Sequence, residues 1–120
     1  MQVLQHAFRL TVASDKFEQA IAFYERIQGI RCERGVNIPE TGINAAKVGG
    51  FLIFTGAPES MARVRDVNAI FYVDSIDAFV PWLNENGAEI LARPRMVTGG
   101  KNATVRNPDG LVVEYFEAAR

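Results

Sequence analysis

The chain has only one cysteine, Cys32, and one histidine, His6, among its 120 residues. A single cysteine excludes an intrachain disulfide framework and is typical of a reducing compartment. No apolar run approaches the ~20 residues needed to span a bilayer. The N-terminus, MQVLQHAFRL, has no basic segment followed by a long apolar one, so it does not resemble a signal peptide. We therefore expect a cytoplasmic protein with no membrane partner.

The chain also has no excess of charge of either sign. The 13 basic and 14 acidic residues are interspersed and give a formal net charge of −1. A nucleic-acid-binding domain normally shows a basic field, and none is visible here, so we expect no nucleic-acid partner. With 48% hydrophobic residues and a length of 120, the sequence predicts a single globular domain, residues 1–120, with a real core.

The first half of the chain reads as one strand, one helix and several short strands. Phe8, Leu10 and Val12 alternate with polar or small residues, which predicts a strand with one packed side. A helix is predicted to begin near the capping residue Asp15 and to end at Gly29. The short apolar runs that follow predict strands over Ile30–Arg34, Ile43–Val48 and Phe51–Thr55.

The second half repeats this order. Ala69, Phe71 and Val73 alternate as a strand, and Ser75 or Asp77 is expected to cap the next helix. Pro81 falls inside that helix pattern and predicts a late start or a kink. Strands are then predicted over Glu89–Arg93, Asn102–Arg106 and Leu111–Phe116. The repeat predicts an α+β fold of two βαβββ modules, over about residues 2–56 and 67–118, joined by a linker over residues 57–66.

Three segments carry a resemblance to a known family: VASDKFEQAIAFYERIQGI, FYVDSIDAF and NPDGLVVEYFE. In this order and spacing the chain resembles the vicinal oxygen chelate superfamily, also called the glyoxalase/bleomycin resistance/dioxygenase superfamily. The resemblance implies that the two modules form a curved, partly open barrel-like sheet with a binding cleft. It also implies a homodimer, because many members of the superfamily work as dimers.

Metal-using members of this superfamily place a ligand at the Glu of a DPDGxxxE motif, and Glu114 of NPDGLVVE matches that position. The three other ligand positions correspond to Ala7, Asn68 and Phe54, none of which suits a transition metal. We therefore expect no metal or other cofactor. The alternative is a divalent metal on Glu114 and His6, which a strand bulge would have to turn into the cleft.

Alternation along the strands predicts which side chains line the cleft. The lining would be mostly apolar with a few polar groups, which is typical of small-molecule sites. Burying the Glu114 carboxylate without a partner would be costly. We therefore expect it to pair with Arg9 or with a polar group of the ligand. The expected ligand-binding residues are Arg9, Thr11, Phe54, Asn68, Tyr72, Glu114 and Phe116.

The resulting hypothesis is a metal-independent, sequestration-type protein that binds an aromatic or amphipathic small molecule, as bleomycin-resistance-like members do. No second catalytic partner for Ser/His/Asp or Cys/His chemistry is visible, so no catalytic residue is assigned. The alternative is an enzyme of the same superfamily: a metal-dependent lyase, isomerase or ring-cleaving dioxygenase.

Overall fold

The computed structural model describes residues 1–62 and 64–120, so Arg63 in the predicted linker lies outside the described residues. The helices are α1 (Phe17–Gln28), α2 (Pro58–Met61) and α3 (Ile76–Glu85). The strands are β1 (Val3–Thr11), β2 (Arg34–Ile38), β3 (Ile43–Val48), β4 (Phe51–Thr55), β5 (Ala69–Val73), β6 (Glu89–Val97), β7 (Gly100–Arg106) and β8 (Val112–Ala118). This order confirms the predicted α+β fold with two βαβββ modules.

The chain divides into two compact units. The first unit comprises residues 7–66, and the second comprises residues 1–6 together with residues 67–120. In the first unit the strand order is β2-β3-β4-β1, with β1 and β4 parallel and the other pairs antiparallel. In the second unit the order is β5-β8-β7-β6, with β5 and β8 parallel and the other pairs antiparallel. The two units therefore share one topology, as the sequence repeat predicted.

The core of the second unit lies between α3 and one face of its sheet. Ile76, Phe79 and Leu83 of α3 are buried against a cluster that includes Val113 and Tyr115 of β8. The packed positions on β8 are two residues apart, so the residues between them lie on the opposite face of the sheet.

Capping explains where α3 begins. The Ser75 hydroxyl accepts a hydrogen bond from the Ala78 backbone N–H at 3.2 Å, which confirms Ser75 as the N-cap. The helix starts directly after it, and Pro81 lies inside the helix. Of the two expected effects of Pro81, the late start is therefore wrong, and the kink stays a prediction. Burial of the apolar face of α3 offsets the backbone hydrogen bond that Pro81 removes.

The first unit buries strand residues more fully than helix residues. Val48 of β3 and Ile53 of β4 have no exposed surface, whereas every residue of α1 is half-buried or exposed. Gly29 ends α1 with φ of 68°, as predicted, because glycine adopts this left-handed conformation without strain. Asp15 is not the N-cap of α1: it lies in a 3-10 turn that precedes the helix.

The strand predicted over Ile30–Arg34 is wrong, and β2 occupies Arg34–Ile38 instead. The residues after α1 complete the end of that helix. The Ile30 N–H donates to the Glu25 carbonyl oxygen at 3.0 Å, and the Cys32 N–H donates to the Glu25 carboxylate at 2.7 Å. Their apolar side chains thus mark a helix ending and not a strand.

Among its described residues, the segment between the modules includes a short helix, α2, with Pro58 in its first turn. Among the described residues, no helix combines the length and apolar character needed to cross a bilayer.

Candidate functional site

The face of the second-unit sheet opposite α3 carries several polar and aromatic side chains. Because Val113 and Tyr115 pack toward α3, Glu114 and Phe116 lie on the other side. Strand register puts Ile70 beside Glu114 and Tyr72 beside Phe116 on the parallel neighbour, β5. We call this surface the Glu114 face; its members are Ile70, Tyr72, Asn102, Thr104, Val112, Glu114 and Phe116.

Glu114 is half-buried and holds a hydrogen bond within its own unit. The Asn102 side-chain amide donates to the Glu114 Oε2 at 3.0 Å, across the antiparallel pairing of β7 and β8. This hydrogen bond fixes the orientation of the carboxylate relative to the sheet. Thr104 lies directly opposite Glu114 in the register. The carboxylate is therefore ordered in a mixed polar and apolar surface.

Two aromatic rings stand beside this carboxylate. Tyr72 and Phe116 pack edge to face, with ring centroids 5.9 Å apart and planes at 79°. Both side chains are half-buried, so part of each ring is accessible. Such a pair offers a ring face and a phenol hydroxyl next to a charged group, which suits an aromatic or amphipathic ligand.

Asn68 hydrogen-bonds the backbone of Val112 through both its side chain and its own backbone. Its side-chain oxygen accepts from the Val112 N–H at 2.9 Å, while its own N–H donates to the Val112 carbonyl at 2.8 Å. These two bonds tie the start of β5 to the start of β8. The Asn68 oxygen thus has a structural role in positioning the strand that carries Glu114.

A second polar surface lies in the first unit. Register pairs Arg9 with Leu52 and Thr11 with Phe54, on the face of β1 and β4 opposite Phe51 and Ile53. We call it the Arg9 face; its members are Arg9, Thr11, Leu52 and Phe54.

The Arg9 guanidinium is held in place from two sides. Its central carbon lies 4.5 Å from the centroid of the Phe54 ring, a cation–π arrangement. Its Nη2 donates to the Val64 carbonyl oxygen at 3.2 Å. Phe54 itself is buried, and the guanidinium packs over the face of its ring. The predicted pairing of Arg9 with Glu114, and the cleft expected to contain both, stay predictions.

The structure does not bring His6 to Glu114. The His6 ring lies 5.9 Å from the ring of Phe71, and Phe71 packs on Tyr115 at 5.4 Å, on the α3 side of the second unit. Glu114 lies on the opposite face. In residues 1–62 and 64–120, no group of three or more His, Cys, Asp or Glu side chains is placed to hold a metal ion. The donor set around Glu114, one carboxylate with an amide and a hydroxyl, does not fit a transition metal.

Sequence reasoning missed Asn102, a hydrogen-bond donor to Glu114. Asn102 stands at the start of a predicted strand, but its contact with Glu114 depends on the β7–β8 register, which joins residues 12 apart. Alternation along β7 puts Asn102 and the buried Ala103 on opposite faces of the sheet. This alternation could have indicated that Asn102 shares a face with Glu114.

Comparison with known proteins identifies the family. A family model described as the Glyoxalase/Bleomycin resistance protein/Dioxygenase superfamily matches residues 4–115. No curated protein sequence matches the chain. A solved structure of an uncharacterized protein from Methanosarcina mazei is similar over 99% of this chain and 95% of that one, with 39% identity and a TM-score of 0.86.

Structures of methylmalonyl-CoA epimerases are similar in fold. The enzyme from Mycobacterium tuberculosis is 18% identical with a TM-score of 0.71, over 98% of this chain and 90% of that one. An epimerase in complex with methylmalonyl-CoA and NH4+ is 15% identical with a TM-score of 0.63, over 98% and 96% of the two chains. At these identities the likeness concerns the fold alone. The family model spans nearly the whole chain, and the chain therefore belongs to the glyoxalase/bleomycin resistance/dioxygenase, or vicinal oxygen chelate, superfamily.

Proposed function

We propose that this protein binds a small aromatic or amphipathic molecule on the Glu114 face without using a metal. The observation that carries the proposal is the grouping of one ordered carboxylate, Glu114 with its donor Asn102, beside the accessible rings of Tyr72 and Phe116. Small-molecule sites are commonly apolar surfaces with a few placed polar groups, and this face has that composition.

Each side chain then has a distinct part in binding. Tyr72 and Phe116 would contact the flat or apolar part of the ligand, where dispersion and removal of apolar surface from water supply affinity. Glu114 would accept a hydrogen bond from an amine, amide or hydroxyl group of the ligand. Asn102 would keep the carboxylate in position, so that little ordering entropy is lost when the ligand binds.

The position of His6 supports a metal-independent mode of binding. A metal on Glu114 would need about three protein ligands, and the single histidine packs on Phe71 instead. Asn68, at another of the family's ligand positions, already bonds the Val112 N–H. A binding protein of the bleomycin-resistance type needs none of these ligands.

The second candidate is a metal-dependent lyase, isomerase or ring-cleaving dioxygenase of the same superfamily. It is favoured by one observation: Glu114 stands at the family's ligand position and lies on the face of β8 opposite α3. Structures named methylmalonyl-CoA epimerase are among those with a similar fold. In this case the missing ligands would have to be water molecules or groups of the substrate.

A thermal-shift screen tests the leading candidate. The probes are planar aromatic compounds, supplied in matched pairs with and without an amine or hydroxyl group, in buffer containing EDTA. A ligand at about 100 times its Kd adds ~2.7 kcal/mol to the free energy of unfolding, which raises the melting temperature by several degrees. We expect the rise to be lost in Phe116→Leu, and reduced to that of the unsubstituted analogue in Glu114→Gln.

Trp82→Leu is the matched control, because it removes an exposed aromatic ring from α3, away from the Glu114 face. It should leave the ligand-induced shift unchanged. The metal-dependent candidate predicts the opposite pattern: Zn, Ni, Mn or Fe retained on untagged protein near one equivalent, and released by Glu114→Ala. That result would replace the binding proposal with the enzyme.

We also propose that the protein is a cytoplasmic homodimer with no nucleic-acid or membrane partner. The single cysteine supports a cytoplasmic location, and the balanced charge supports the absence of a nucleic-acid partner.

A further inference from the structure

A pocket of about 340 Å³ lies in the second unit, between the end of α3 and the turn that joins β7 to β8. That turn belongs to the NPDG segment singled out in the sequence. The volume is within the range of small-molecule sites. We call it the Trp82 pocket; its lining includes Trp82, Leu83, Asn86, Asn107, Asp109 and Tyr115.

The floor of the Trp82 pocket is apolar and well packed. Leu83 is 5% exposed and Tyr115 is 3% exposed. The Tyr115 hydroxyl donates to the Asn107 Oδ1 at 2.9 Å, which ties the turn to the sheet. Pro108 of the turn stands beside the end of α3, where a Cβ placed on Gly87 would lie 3.7 Å from the Pro108 Cγ. The pocket is therefore preformed, and little ordering entropy would be lost when it is filled.

Trp82 and Asn86 form the helical wall of the pocket. Trp82 is 46% exposed, so part of its indole ring is accessible to a ligand. Asn86 stands one turn further along, and its side-chain amide donates to the Trp82 carbonyl oxygen at 2.8 Å. Because the amide nitrogen makes this bond, the Asn86 side chain can offer its oxygen as a hydrogen-bond acceptor.

Asp109 gives the opposite wall a negative charge. Its Oδ1 accepts from the Leu111 N–H at 3.2 Å, which holds the carboxylate in the turn. Burial raises the pKa of the Tyr115 phenol, the hydrogen bond to Asn107 lowers it, and the Asp109 charge raises it further. The carboxylate thus acts on the floor of the pocket. The described lining residues include no lysine or arginine that would neutralise it.

The end of α3 adds to this negative potential. The carbonyl end of a helix carries a partial negative charge, which a basic residue in the last turn commonly offsets. The helix α1 has Arg26 in its last turn, whereas α3 has no basic residue there. Trp82 and Asn86 lie in and directly after this last turn, so the pocket is next to a helix end that lacks its usual cation.

We propose that the Trp82 pocket binds a small organic ammonium ion, that is, a protonated amine with a short apolar or aromatic group. The cation would lie against the Trp82 ring, which attracts positive charge, and would donate to the Asp109 carboxylate and the Asn86 oxygen. The apolar group would contact Leu83. The site goes beyond the proposed function, because Tyr115 and Leu83 lie on the α3 side of the sheet and the Glu114 face lies on the other.

Tryptophan fluorescence tests the proposal directly, because Trp82 is the single tryptophan of the chain. The probes are three compounds of similar size: phenethylamine, which is protonated at neutral pH, neutral phenethyl alcohol, and the anion hydrocinnamate. Phenethylamine should change the Trp82 emission in a saturable way. The alcohol should bind at least about fivefold more weakly, because it lacks the charge, and hydrocinnamate should not bind.

Asp109→Asn isolates the charge. The Asn side chain keeps an oxygen that can accept from the Leu111 N–H, so the turn should be retained. This variant should raise the Kd of phenethylamine about fivefold at low salt. Asp15→Asn is the matched control, because it removes the same charge from an exposed position in the first unit. It should leave Kd unchanged.

Trp82→Leu isolates the ring, with binding measured by calorimetry because the fluorophore is lost. Its Kd for phenethylamine should rise about tenfold. Phe116→Leu, which removes a ring from the Glu114 face, is the control and should leave Kd unchanged. Circular dichroism melts check that each variant is folded.

Three results would overturn the proposal. They are an unchanged Trp82 emission up to millimolar phenethylamine, equal affinity for the amine and the alcohol, and an amine Kd that rises in Phe116→Leu but not in Asp109→Asn or Trp82→Leu. The last would assign the amine to the Glu114 face. The proposed function is tested separately, because its ligand should lose affinity in Phe116→Leu and keep it in Trp82→Leu.

Discussion

Glu114 is a charged residue in the apolar strand β8, and its neighbours account for its presence there. The Asn102 amide donates to it, and Ile70 and Thr104 flank it in the register. The stability of this arrangement depends on Asn102. Because a lost hydrogen bond leaves a partly buried acceptor less well satisfied, this dependence is measurable as stability.

Asn102→Ala should lower the free energy of unfolding by about 1 kcal/mol, and Asn102→Asp by about 2 kcal/mol at neutral pH, because the new carboxylate would stand beside Glu114. Urea denaturation at pH 7 measures both. The Asp variant supplies its own control: below about pH 4, where carboxylates take up protons, its deficit should shrink toward that of the Ala variant. Equal stability of all three proteins at pH 7 would show that Asn102 does not support Glu114.

Tyr115 gives a prediction that depends on pH. Burial raises the pKa of the Tyr115 phenol above its usual value of 10.0, although the hydrogen bond to Asn107 acts in the other direction. The folded protein therefore holds this proton more tightly than the unfolded chain does. The resulting stability is fully present below pH 10 and is lost as the pH rises through the folded-state pKa.

Tyr115→Phe should remove the hydrogen bond from the hydroxyl to the Asn107 side-chain oxygen, 2.9 Å long, at a cost of about 1 kcal/mol at pH 8. Above pH 10 the variant should lose stability less steeply than the wild type, so the two denaturation midpoints approach each other. Tyr24→Phe, which removes a hydroxyl from the first unit, serves as the comparison. A gap that widens above pH 10 would contradict the direction of the pKa shift.

The candidate site was partly predictable from the residues alone. Alternation along β8 predicted that Glu114 and Phe116 share one face, and the structure places both opposite Val113 and Tyr115. Asn102 was missed because strand register between β7 and β8 is set by tertiary pairing, which one sequence does not reveal. The hydrogen bond from Asn68 to Val112 was missed for the same reason.

At the scale of elements, local signals were reliable where chain neighbours decide the structure. Ser75 and Gly29 cap α3 and α1 as expected, and β3 and β4 have the predicted bounds. The signal failed after α1, where apolar Ile30 completes the helix end and the more polar segment Arg34–Ile38 pairs with β3. There the pairing partner, not the local pattern, decides which residues form the strand.

The N-cap of α3 stabilises its first turn. Ser75→Ala removes the acceptor for the Ala78 N–H and should lower the free energy of unfolding by about 1 kcal/mol. Ser75→Asp keeps an acceptor and adds a charge that the helix dipole favours, so it should restore the stability. Chemical denaturation of the three proteins measures the difference. An Asp variant as unstable as the Ala variant would mean that the serine acts through something other than the cap.

A second hydrogen-bond acceptor at the N-terminus of α3 limits the loss of stability in Ser75→Ala. The Glu117 carboxylate of β8 accepts from the Ile76 N–H at 2.8 Å, so the first turn of α3 is held from the sheet as well. Removing both acceptors, with Ser75→Ala and Glu117→Ala together, should cost more than either change alone. The helix and the last strand of the second unit are thereby coupled through the helix N-terminus.

For the whole molecule, the two units share a topology but differ in how their helices are buried. The helix of the second unit is packed through Ile76, Phe79 and Leu83, and the helix of the first unit leaves Phe23 and Ile27 exposed. The sequence repeat predicted the shared topology. It did not predict this difference, because the stripes of both helices look equally apolar when read along the chain.

If the protein is a homodimer, as proposed, its thermal stability depends on protein concentration. Unfolding of a dimer releases two chains, so dilution favours the unfolded state by mass action. For two chains of 120 residues, a tenfold increase in concentration should raise the melting temperature by about 3 °C. A wild-type melting temperature that is constant over a hundredfold range of concentration would contradict the proposed homodimer.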